Sequence, residues 1–354
     1  MGQFLKAACL RSLVAILLAA CSGAQATPTA TSSPAATPST APAATALNCS
    51  LPIAVAMSGP TQQGGFISLP AGSFSTDPNS GMTYDATSRR TRTTQAPLLY
   101  GDGGMTYDRP YQRWLPVKWA QVLPDGTAYV YTREASPTQF RNEVHLVTVA
   151  TASDRVISNQ DAYHAIAYKP EGIYVDYHLN GTDASHGLWL LDATNGSLKA
   201  YPSGQPATWD RIAAGAAWSY SPTGNRFGSN TFARLDLNSG VVTTWFSVAS
   251  PSPPEPGFKT IRVLGFDGSD PLVQVYVDEH TSEVWRLSAP GQATRLPDVP
   301  LGVLSPPFSV TDTHGTWLIA GDGNVYLYGG SGFKRVASAP SGPTPGAMVA
   351  GSCS

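Results

Sequence analysis

The sequence has little charge. Only 13% of its 354 residues are charged, and the net charge is -2 at pH 7. Such a chain lacks the basic surface that holds nucleic acid or an anionic bilayer by charge alone. We therefore expect no nucleic-acid partner. The 42% of hydrophobic residues is nevertheless sufficient for the core of one large domain or two ordinary ones.

The sequence also lacks the motifs of metal, nucleotide and nucleophile sites. It contains no HExxH pair and no cysteine pair at zinc spacing. DGSD at 267–270 departs from the calcium-loop pattern, GDGGMT at 101–106 lacks the third glycine of a dinucleotide loop, and GGSGF at 329–333 misses the GxSxG spacing. We therefore expect no metal and no cofactor, and no motif assigns a catalytic residue.

Apolar runs long enough to span a bilayer are missing as well. The run from Leu13 to Ala20 is too short for a membrane anchor, and Lys6 and Arg11 before it are typical of an export signal. The sequence LAAC, which ends at Cys21, resembles the lipobox of bacterial lipoproteins. This resemblance implies a signal peptide over 1–20, a lipid on Cys21 and anchoring to the outer face of a bacterial membrane. A secretory signal with an incidental cysteine is the alternative.

Residues 21–48 predict a tether. After Cys21 they consist almost entirely of Ala, Thr, Pro and Ser and carry no charged side chain. Such a segment buries too little apolar surface to offset its ordering entropy, so we expect a disordered linker. At about 3.1 Å per residue in polyproline II, it reaches up to roughly 80 Å from the membrane. The folded domain is then expected over 49–354.

From residue 49 onward the sequence predicts strands. No helical period is sustained, and short runs rich in Val, Ile, Tyr, Trp and Thr alternate with Gly, Pro, Asn and Asp turns. The pattern therefore indicates an all-β domain. Representative runs are TAYVYT (127–132), EVHLVTVA (143–150), GIYVDY (172–177) and PLVQVYV (271–277).

Two kinds of turn recur at roughly 40–50 residues, a period typical of four-stranded propeller blades. Turns of the first kind precede a strand and end at Gly126, Gly172, Gly224, Gly268 and Gly315. Turns of the second kind separate two strands and lie near Gly72, Gln112, Ser153, Gly196, Gly240, Gly291 and Gly332. The second set predicts seven four-stranded blades, with six blades and a long insertion at 75–115 as the alternative.

One stretch carries a family resemblance. WLPVKWAQVLPDGTAYVYTRE (114–134), followed by NEVHLVTVATASDRVI (142–157), resembles a blade of TolB-type or WD-repeat-like propellers. Leu123 replaces the serine of the family's Ser-Pro-Asp-Gly turn, and only the sequence from Asp192 to Gly196 approaches its Asp-x-x-Thr-Gly turn. The resemblance covers about 110–335 and implies a β-propeller without implying an activity. With the lipobox and linker, it is similar to bacterial propeller lipoproteins.

The propeller resemblance also implies how the chain closes. Propellers usually close when one terminus adds a strand to a blade built from the other, which here makes AMVAG (347–351) the innermost strand and LPIAVAM (51–57) the next. After loss of the signal and lipidation of Cys21, Cys49 and Cys353 remain, and an exported compartment permits their oxidation. A disulfide between them then replaces the missing turn. A free terminal thiol is the alternative.

In such blades, the loops between second and third strands and those between blades meet at one end, around the central channel. Their carboxylate, imidazole and indole groups suit a polar ligand, namely a protein, a peptide or an envelope glycan. Loops that bind nothing are the alternative. The strand tryptophans, Trp119 among them, are expected to pack between blades. The candidate ligand residues are Asp161, His178, Asp183, His186, Trp209, Asp210, Asp278, Glu279, His280 and Asp322.

Three functional hypotheses follow. The first is a membrane-tethered binding module without chemistry of its own. The second is a propeller-type glycan hydrolase or lyase, with acid and base drawn from Asp183, Asp278, Glu279 and the nearby histidines. Convergence of those groups in one channel mouth would favour this enzyme. The third is a passive spacer.

Overall fold

The computed structural model describes residues 47–57, 59–136, 141–178, 185–201, 209–219, 231–248, 261–276, 282–297, 309–341 and 346–354. These ranges contain 28 β-strands and one turn of 3-10 helix, Trp119–Gln121. The prediction of an all-β domain is confirmed. Within these ranges no helix has the length and hydrophobicity needed to cross a membrane. Residues 1–46, which contain the predicted signal peptide, Cys21 and most of the predicted linker, lie outside the description.

Four of the seven sheets are complete four-stranded antiparallel meanders, which we number 4 to 7 in chain order. Sheet 4 consists of β12 (Tyr163–Lys169), β13 (Gly172–His178), β14 (Ser185–Leu191) and β15 (Leu198–Tyr201). Sheet 5 consists of β16 (Trp209–Ala213), β17 (Ala216–Ser219), β18 (Thr231–Asp236) and β19 (Val242–Ser247). Sheet 6 consists of β20 (Ile261–Asp267), β21 (Asp270–Tyr276), β22 (Ser282–Ala289) and β23 (Gln292–Arg295). Sheet 7 consists of β24 (Val310–Asp312), β25 (Gly315–Ile319), β26 (Asn324–Tyr328) and β27 (Phe333–Ser338).

Sheet 1 is built from both ends of the chain. Its order is β28-β1-β2, and β3 pairs with β2. β28 at the edge and β1 beside it are the innermost and next strands that were predicted. Cys49 and Cys353 form a disulfide with Cα atoms 5.5 Å apart, and the Ser50 amide donates to the Ser354 carbonyl at 3.0 Å. The composite closure is thus confirmed. The strands are β1 (Ser50–Ala56), β2 (Thr61–Ser68), β3 (Ser73–Thr76) and β28 (Ala347–Val349).

Sheets 2 and 3 depart from the four-stranded pattern. Sheet 3 has three strands, and the 3-10 helix occupies the place of its first strand. Sheet 2 has only two strands, and prolines 97, 110 and 116 lie between or beside the short strands of this region. β4 to β6 instead continue sheet 1 beyond β2. The strands are β4 (Met82–Asp85), β5 (Arg90–Thr93), β6 (Tyr100–Gly101), β7 (Thr106–Asp108), β8 (Arg113–Leu115), β9 (Ala128–Ser136), β10 (Arg141–Thr148) and β11 (Ser153–Ser158).

Seven apolar clusters join the seven sheets into a ring. Each cluster takes buried side chains from two neighbours, so the core lies between the sheets. This ring is the predicted propeller, and its second position is taken by the irregular segment of residues 77–118, where the six-blade alternative placed an insertion. Representative pairs are Trp114 with Ala54, Leu115 with Tyr129, Val130 with Ile173, Tyr174 with Ile212, Trp218 with Val263, Leu272 with Leu318, and Trp317 with Leu51.

The predicted turns between third and fourth strands also match the structure. At six of the seven predicted turn positions the residue has a positive φ. In the remaining turn, predicted at Ser153, the residue with positive φ is the preceding one, Ala152. Five of these positions are glycines, for which positive φ carries no steric cost. Gln112, at φ 50°, marks the turn of sheet 2. The period is therefore kept even where the sheet is incomplete.

Candidate functional site

Strand direction divides the ring into two ends. In an antiparallel meander, the turns after the first and third strands lie at one end, while the connection after the second strand and the passage to the next sheet lie at the other. We call these the turn end and the loop end. The segment 102–105 precedes β7, and residues 116–118 lead from sheet 2 to sheet 3, so both lie at the loop end.

The 3-10 helix places a polar cluster at this end, near the innermost strand β12. The buried amide of Gln121 donates from Nε2 to the Asp102 carboxylate at 2.7 Å and to the Ala165 carbonyl of β12 at 3.2 Å. Its Oε1 accepts from the Lys118 amide at 2.8 Å. Gln121 therefore fixes the loop that carries Asp102, the 3-10 helix and β12 relative to one another. We call Asp102, Lys118, Trp119 and Gln121 the mouth cluster.

Asp102 is exposed to solvent, yet burial among surrounding atoms raises its pKa above the ordinary aspartate value. Protein atoms therefore crowd this carboxylate although water still reaches it. The Lys118 ammonium and the hydrogen bond from Gln121 oppose this rise. A ligand that reaches Asp102 meets a carboxylate already held in place by Gln121.

Trp119 is the exposed aromatic residue of the cluster. Its side chain is 40% exposed, whereas Trp114, Trp218 and Trp317 are buried in the clusters between sheets. The prediction that Trp119 packs between blades is wrong. Its neighbour Ala120 packs against the cluster between sheets 4 and 5 instead. Since Gln121 and Ala120 anchor the short turn, the indole is presented from a rigid element.

A second polar group lies next to the mouth cluster, where sheet 3 meets sheet 4. The side chain of the buried Asn142 contacts His164, with 3.0 Å between Nδ2 and Nε2. The backbone N–H of Asn142 donates to the Asp161 carbonyl at 3.1 Å. The Asp161 carboxylate accepts the Ala162 amide at 3.0 Å. Tyr163 lies edge-on to Tyr177, with ring centroids 5.6 Å apart. Polar and aromatic side chains thus continue along the loop end from sheet 2 to sheet 4.

The structure describes four side chains of the predicted ligand rim. Asp161 lies at the loop end as predicted. Asp322, also in a loop-end connection, is exposed, and it accepts from the Asn324 amide at 2.9 Å and from the Tyr326 hydroxyl at 2.8 Å. Asp210 is half-buried at the start of β16. Trp209 corrects the prediction, because its indole is only 1% exposed and packs between sheets 4 and 5.

The other rim residues remain untested. The side chains of His178 and His186 and the whole of Asp183, Asp278, Glu279 and His280 lie outside the described residues. The convergence of Asp183, Asp278 and Glu279 in one mouth therefore stays a prediction. Among the described residues, no group of three or more His, Cys, Asp or Glu side chains is arranged to hold a metal ion.

A cavity of about 280 Å³ opens at the turn end between sheets 6 and 7. Several of its polar groups already have partners within the protein. Asp312 accepts from the Trp317 indole and from the Cys353 amide, both at 2.8 Å, and Tyr328 donates to Asp267 at 3.4 Å. Asp312 therefore helps to hold the C-terminal segment. The cavity has this structural role, and the mouth cluster is the stronger candidate for a ligand site.

An ion network on sheet 3 also has a structural explanation. The buried ring of His145 lies between two carboxylates, with Nδ1 2.7 Å from Asp154 and Nε2 3.0 Å from Glu143. Despite burial, which opposes ionisation, hydrogen bonds from His145 keep the pKa of both carboxyls below the ordinary value. Arg90 of β5 reaches Asp154 at 3.5 Å. The network thus attaches the irregular segment to sheet 3.

No protein-family model matches this sequence, and no curated protein sequence matches it. The structure is similar to TolB from Acinetobacter baumannii, at 11% identity and a TM-score of 0.41, covering 85% of this chain and 67% of that one. It is also similar to the β-propeller domain of the Trilobed protease from Pyrococcus furiosus, at 9% identity and a TM-score of 0.42. That match covers 82% of this chain and 84% of that one. It is similar to the tricorn protease as well, at 12% identity and a TM-score of 0.43, covering 83% of this chain and 27% of that one. This chain therefore spans about a quarter of the length of that one. No activity is transferred from likenesses of this size.

The mouth cluster could not be recognised from sequence motifs. GDGGMT, which contains Asp102, resembles only an incomplete nucleotide loop, and Trp119 lies in a strand-like stretch whose aromatic residues usually pack in the core. One signal was available: Lys118 to Gln121 falls where the first strand of sheet 3 is expected, but Gln and Lys are poor residues for a buried inner strand. A break in an otherwise regular repeat was therefore the indication of a site.

Proposed function

We propose that this protein is a membrane-tethered, extracytoplasmic β-propeller that binds a component of the cell envelope through its loop end. The propeller is the scaffold, and the mouth cluster together with the neighbouring side chains of sheets 3 and 4 is the binding surface. The protein acts by holding its ligand, with no chemistry of its own.

The observation that carries this proposal is that one buried residue, Gln121, anchors both the turn with an exposed indole and a fixed carboxylate. Trp119 is 40% exposed on a turn that buried Gln121 anchors, and Gln121 also holds Asp102 at 2.7 Å. Exposed tryptophans on rigid elements are common anchors of binding sites, because burying an indole on binding gains free energy at little cost in conformational entropy. Among the described residues, no other polar cluster combines these features.

The tether and the compartment rest on separate observations. The lipobox-like LAAC and the uncharged linker of 21–48 support export and a lipid on Cys21. The disulfide between Cys49 and Cys353 supports a compartment outside the cytoplasm, where such bonds persist. A Cys21→Ser variant should leave the membrane fraction and appear in the soluble exported fraction. If it stays with the membrane, the proposed lipid anchor is wrong.

Binding is tested with the full chain carrying Cys21→Ser, purified without detergent, so that no lipid carries the protein into the membrane. It is mixed with envelope material from cells that lack the protein, and all further variants are made in this background. Sedimentation of the envelope should carry the protein down. The Trp119→Ala and Asp102→Asn variants should sediment much less, because each removes one member of the mouth cluster while the fold remains.

Tyr111→Ala is the matched control. Tyr111 is 38% exposed, close to the value of Trp119, but it lies in the turn after β7 and thus at the turn end. We expect this variant to sediment like the unmodified protein. Equal losses for Trp119→Ala and Tyr111→Ala would contradict a loop-end site. Release of soluble sugar from the envelope during the assay would show the glycan hydrolase or lyase activity that the proposal excludes.

A further inference from the structure

Resting on the proposed function, we infer that the mouth cluster binds an uncharged carbohydrate chain, with one sugar ring stacked on Trp119 and its hydroxyls bonded to Asp102 and Lys118. The fold itself leaves the chemical class of the ligand open, but the charge, the donor set and the exposed indole of the cluster favour a carbohydrate.

The charges of the mouth cluster offset one another. Asp102 and Lys118 are both exposed, carry opposite signs and lie close enough to interact. An anionic ligand is attracted by Lys118 and repelled by Asp102. A cationic ligand is attracted by Asp102 and repelled by Lys118. Within the mouth cluster the two charges therefore cancel, which favours a ligand without net charge.

The polar groups of the cluster complement hydroxyl groups. A carboxylate accepts, an ammonium donates, and a sugar hydroxyl does both. Gln121 uses its Nε2 and Oε1 on Asp102, Ala165 and the Lys118 amide, so it holds the recognition groups in place rather than meeting the ligand. With Asp102 fixed before binding, less conformational entropy is lost when the hydroxyls are engaged.

The indole supplies the apolar part of the site. The face of a tryptophan ring is flat and electron-rich, and it accepts the weakly positive C–H edges of a sugar ring. Trp119 directly follows Lys118, which caps the same short turn, so one bound oligosaccharide can reach both side chains. A flat indole beside paired hydrogen-bonding groups without net charge is what a neutral carbohydrate requires.

The test measures binding of the full chain to three defined probe classes by isothermal titration calorimetry and by tryptophan fluorescence. The first is a panel of neutral oligosaccharides of glucose, mannose, galactose and N-acetylglucosamine. The second is polygalacturonate as an anionic glycan, and the third is oligolysine as a cationic peptide. We expect saturable binding to a member of the neutral panel, with a change in fluorescence as Trp119 is covered.

Trp119→Ala should weaken that binding about tenfold or more, as expected for loss of a central aromatic contact, while Tyr111→Ala leaves it unchanged. Trp119→Phe should restore part of the affinity, since it keeps a stacking face. No saturable binding to any neutral probe by the folded protein overturns the inference. Binding of polygalacturonate or oligolysine alone, or binding that Trp119→Ala does not change, overturns it as well.

The outcome is distinguishable from failure of the proposed function. If envelope sedimentation depends on Trp119 but no neutral oligosaccharide binds, the loop-end function stands and only the ligand class is wrong. If sedimentation is the same for Trp119→Ala and the unmodified protein, the proposed function itself fails.

Discussion

Three aspartates hold the same place, directly before the turn between third and fourth strands, but their environments differ. In sheets 4 and 5, Asp192 accepts the Thr194 amide at 2.7 Å and Asp236 accepts the Ser239 amide at 2.9 Å, and these backbone hydrogen bonds lower the pKa of both carboxyls. In sheet 2, Asp108 is only 4% exposed, and burial raises its pKa to about 6.

The cause of the difference is local. Residue 110, two positions after Asp108, is a proline and has no amide to donate, so only the Tyr111 amide remains, at 3.3 Å. The turn at Gly126 also covers Asp108 closely, since a Cβ at Gly126 would lie 2.3 Å from its Oδ1. The same residue type is a half-buried turn cap in the regular sheets and a fully buried acid in the irregular one. The ring thus tolerates an incomplete sheet, but in the irregular segment the aspartate at this turn position has a raised pKa instead of a lowered one.

The largest effect is expected from removing the core tryptophan of the irregular segment. Trp114 is fully buried, lies 5.1 Å from the Tyr107 ring and donates to Asp77 at 2.9 Å. Trp114→Ala should lower the free energy of unfolding by about 3–5 kcal/mol, as for other buried large-to-small changes. Denaturant unfolding measures this loss. Trp218→Ala in sheet 5 is the matched variant, and a loss for Trp114→Ala far below that of Trp218→Ala would show that the segment is only a surface insertion.

The second effect concerns the joint that the irregular segment holds. Arg109 donates from Nη2 to the Ser352 carbonyl at 3.0 Å and also to the Ser50 carbonyl, beside the disulfide. Cys353→Ser should lower the free energy of unfolding by about 2–5 kcal/mol. Both features hold the same ends together. The loss in free energy of unfolding caused by Arg109→Ala should therefore differ between the Cys353→Ser variant and the unmodified protein. Strict additivity in a double-mutant cycle would contradict a shared joint.

The third effect has the opposite sign and tests Asp108 directly. Its pKa in the folded protein lies above the ordinary value of 3.8, so the folded state binds the proton more tightly than the unfolded state. This stabilisation is complete below about pH 4 and is lost as pH rises to about 6. Asp108→Asn removes the ionisation and should raise stability at pH 7 by about 1–3 kcal/mol, with the two curves converging near pH 4. A pH-independent difference would sink this account of Asp108.

The smallest effect concerns the attachment of the irregular segment to sheet 3. Arg90→Ala removes the contact with Asp154 and should cost about 1 kcal/mol at low salt and less at high salt, as for other partly exposed ion pairs. Asp154 and Glu143 have lowered pKa values, so their contribution is present at neutral pH and lost on acidification, opposite to that of Asp108. Unfolding curves at several salt concentrations and pH values measure both dependences. A loss that salt does not change would assign Arg90 a packing role.

The regular part of the ring could be predicted from the sequence because its signals repeat. The turn glycines recur at one period, and a positive φ at Gly196 or Gly240 is a local requirement that a glycine shows directly. The joint of β1 and β28 followed from the requirement that the ring close. The strand content of residues 77–118 could not be predicted in the same way, because its short strands extend sheet 1 or pair with a single neighbour instead of repeating the four-strand period.

The loop-end position of Asp161 could be predicted from the strand order, but the exposure of the tryptophans could not. Asp161 lies at the loop end, but Trp209 is in the core and Trp119 is at the surface, opposite to what was expected of each. Strand periodicity gives the face of a sheet on which a side chain lies. It does not show that the first strand of sheet 3 is replaced by a helical turn, and this replacement is what exposes Trp119.

The most direct test of the central claim is hydrogen exchange of the full chain, measured by mass spectrometry with and without envelope extract. If the mouth cluster is the binding surface, peptides that cover residues 100–121 should exchange more slowly in the presence of the extract, while those that cover the turn-end residues 267–270 and 312–315 should not change. Protection confined to the turn end, or no protection anywhere under conditions in which the protein sediments with the envelope, would contradict the claim.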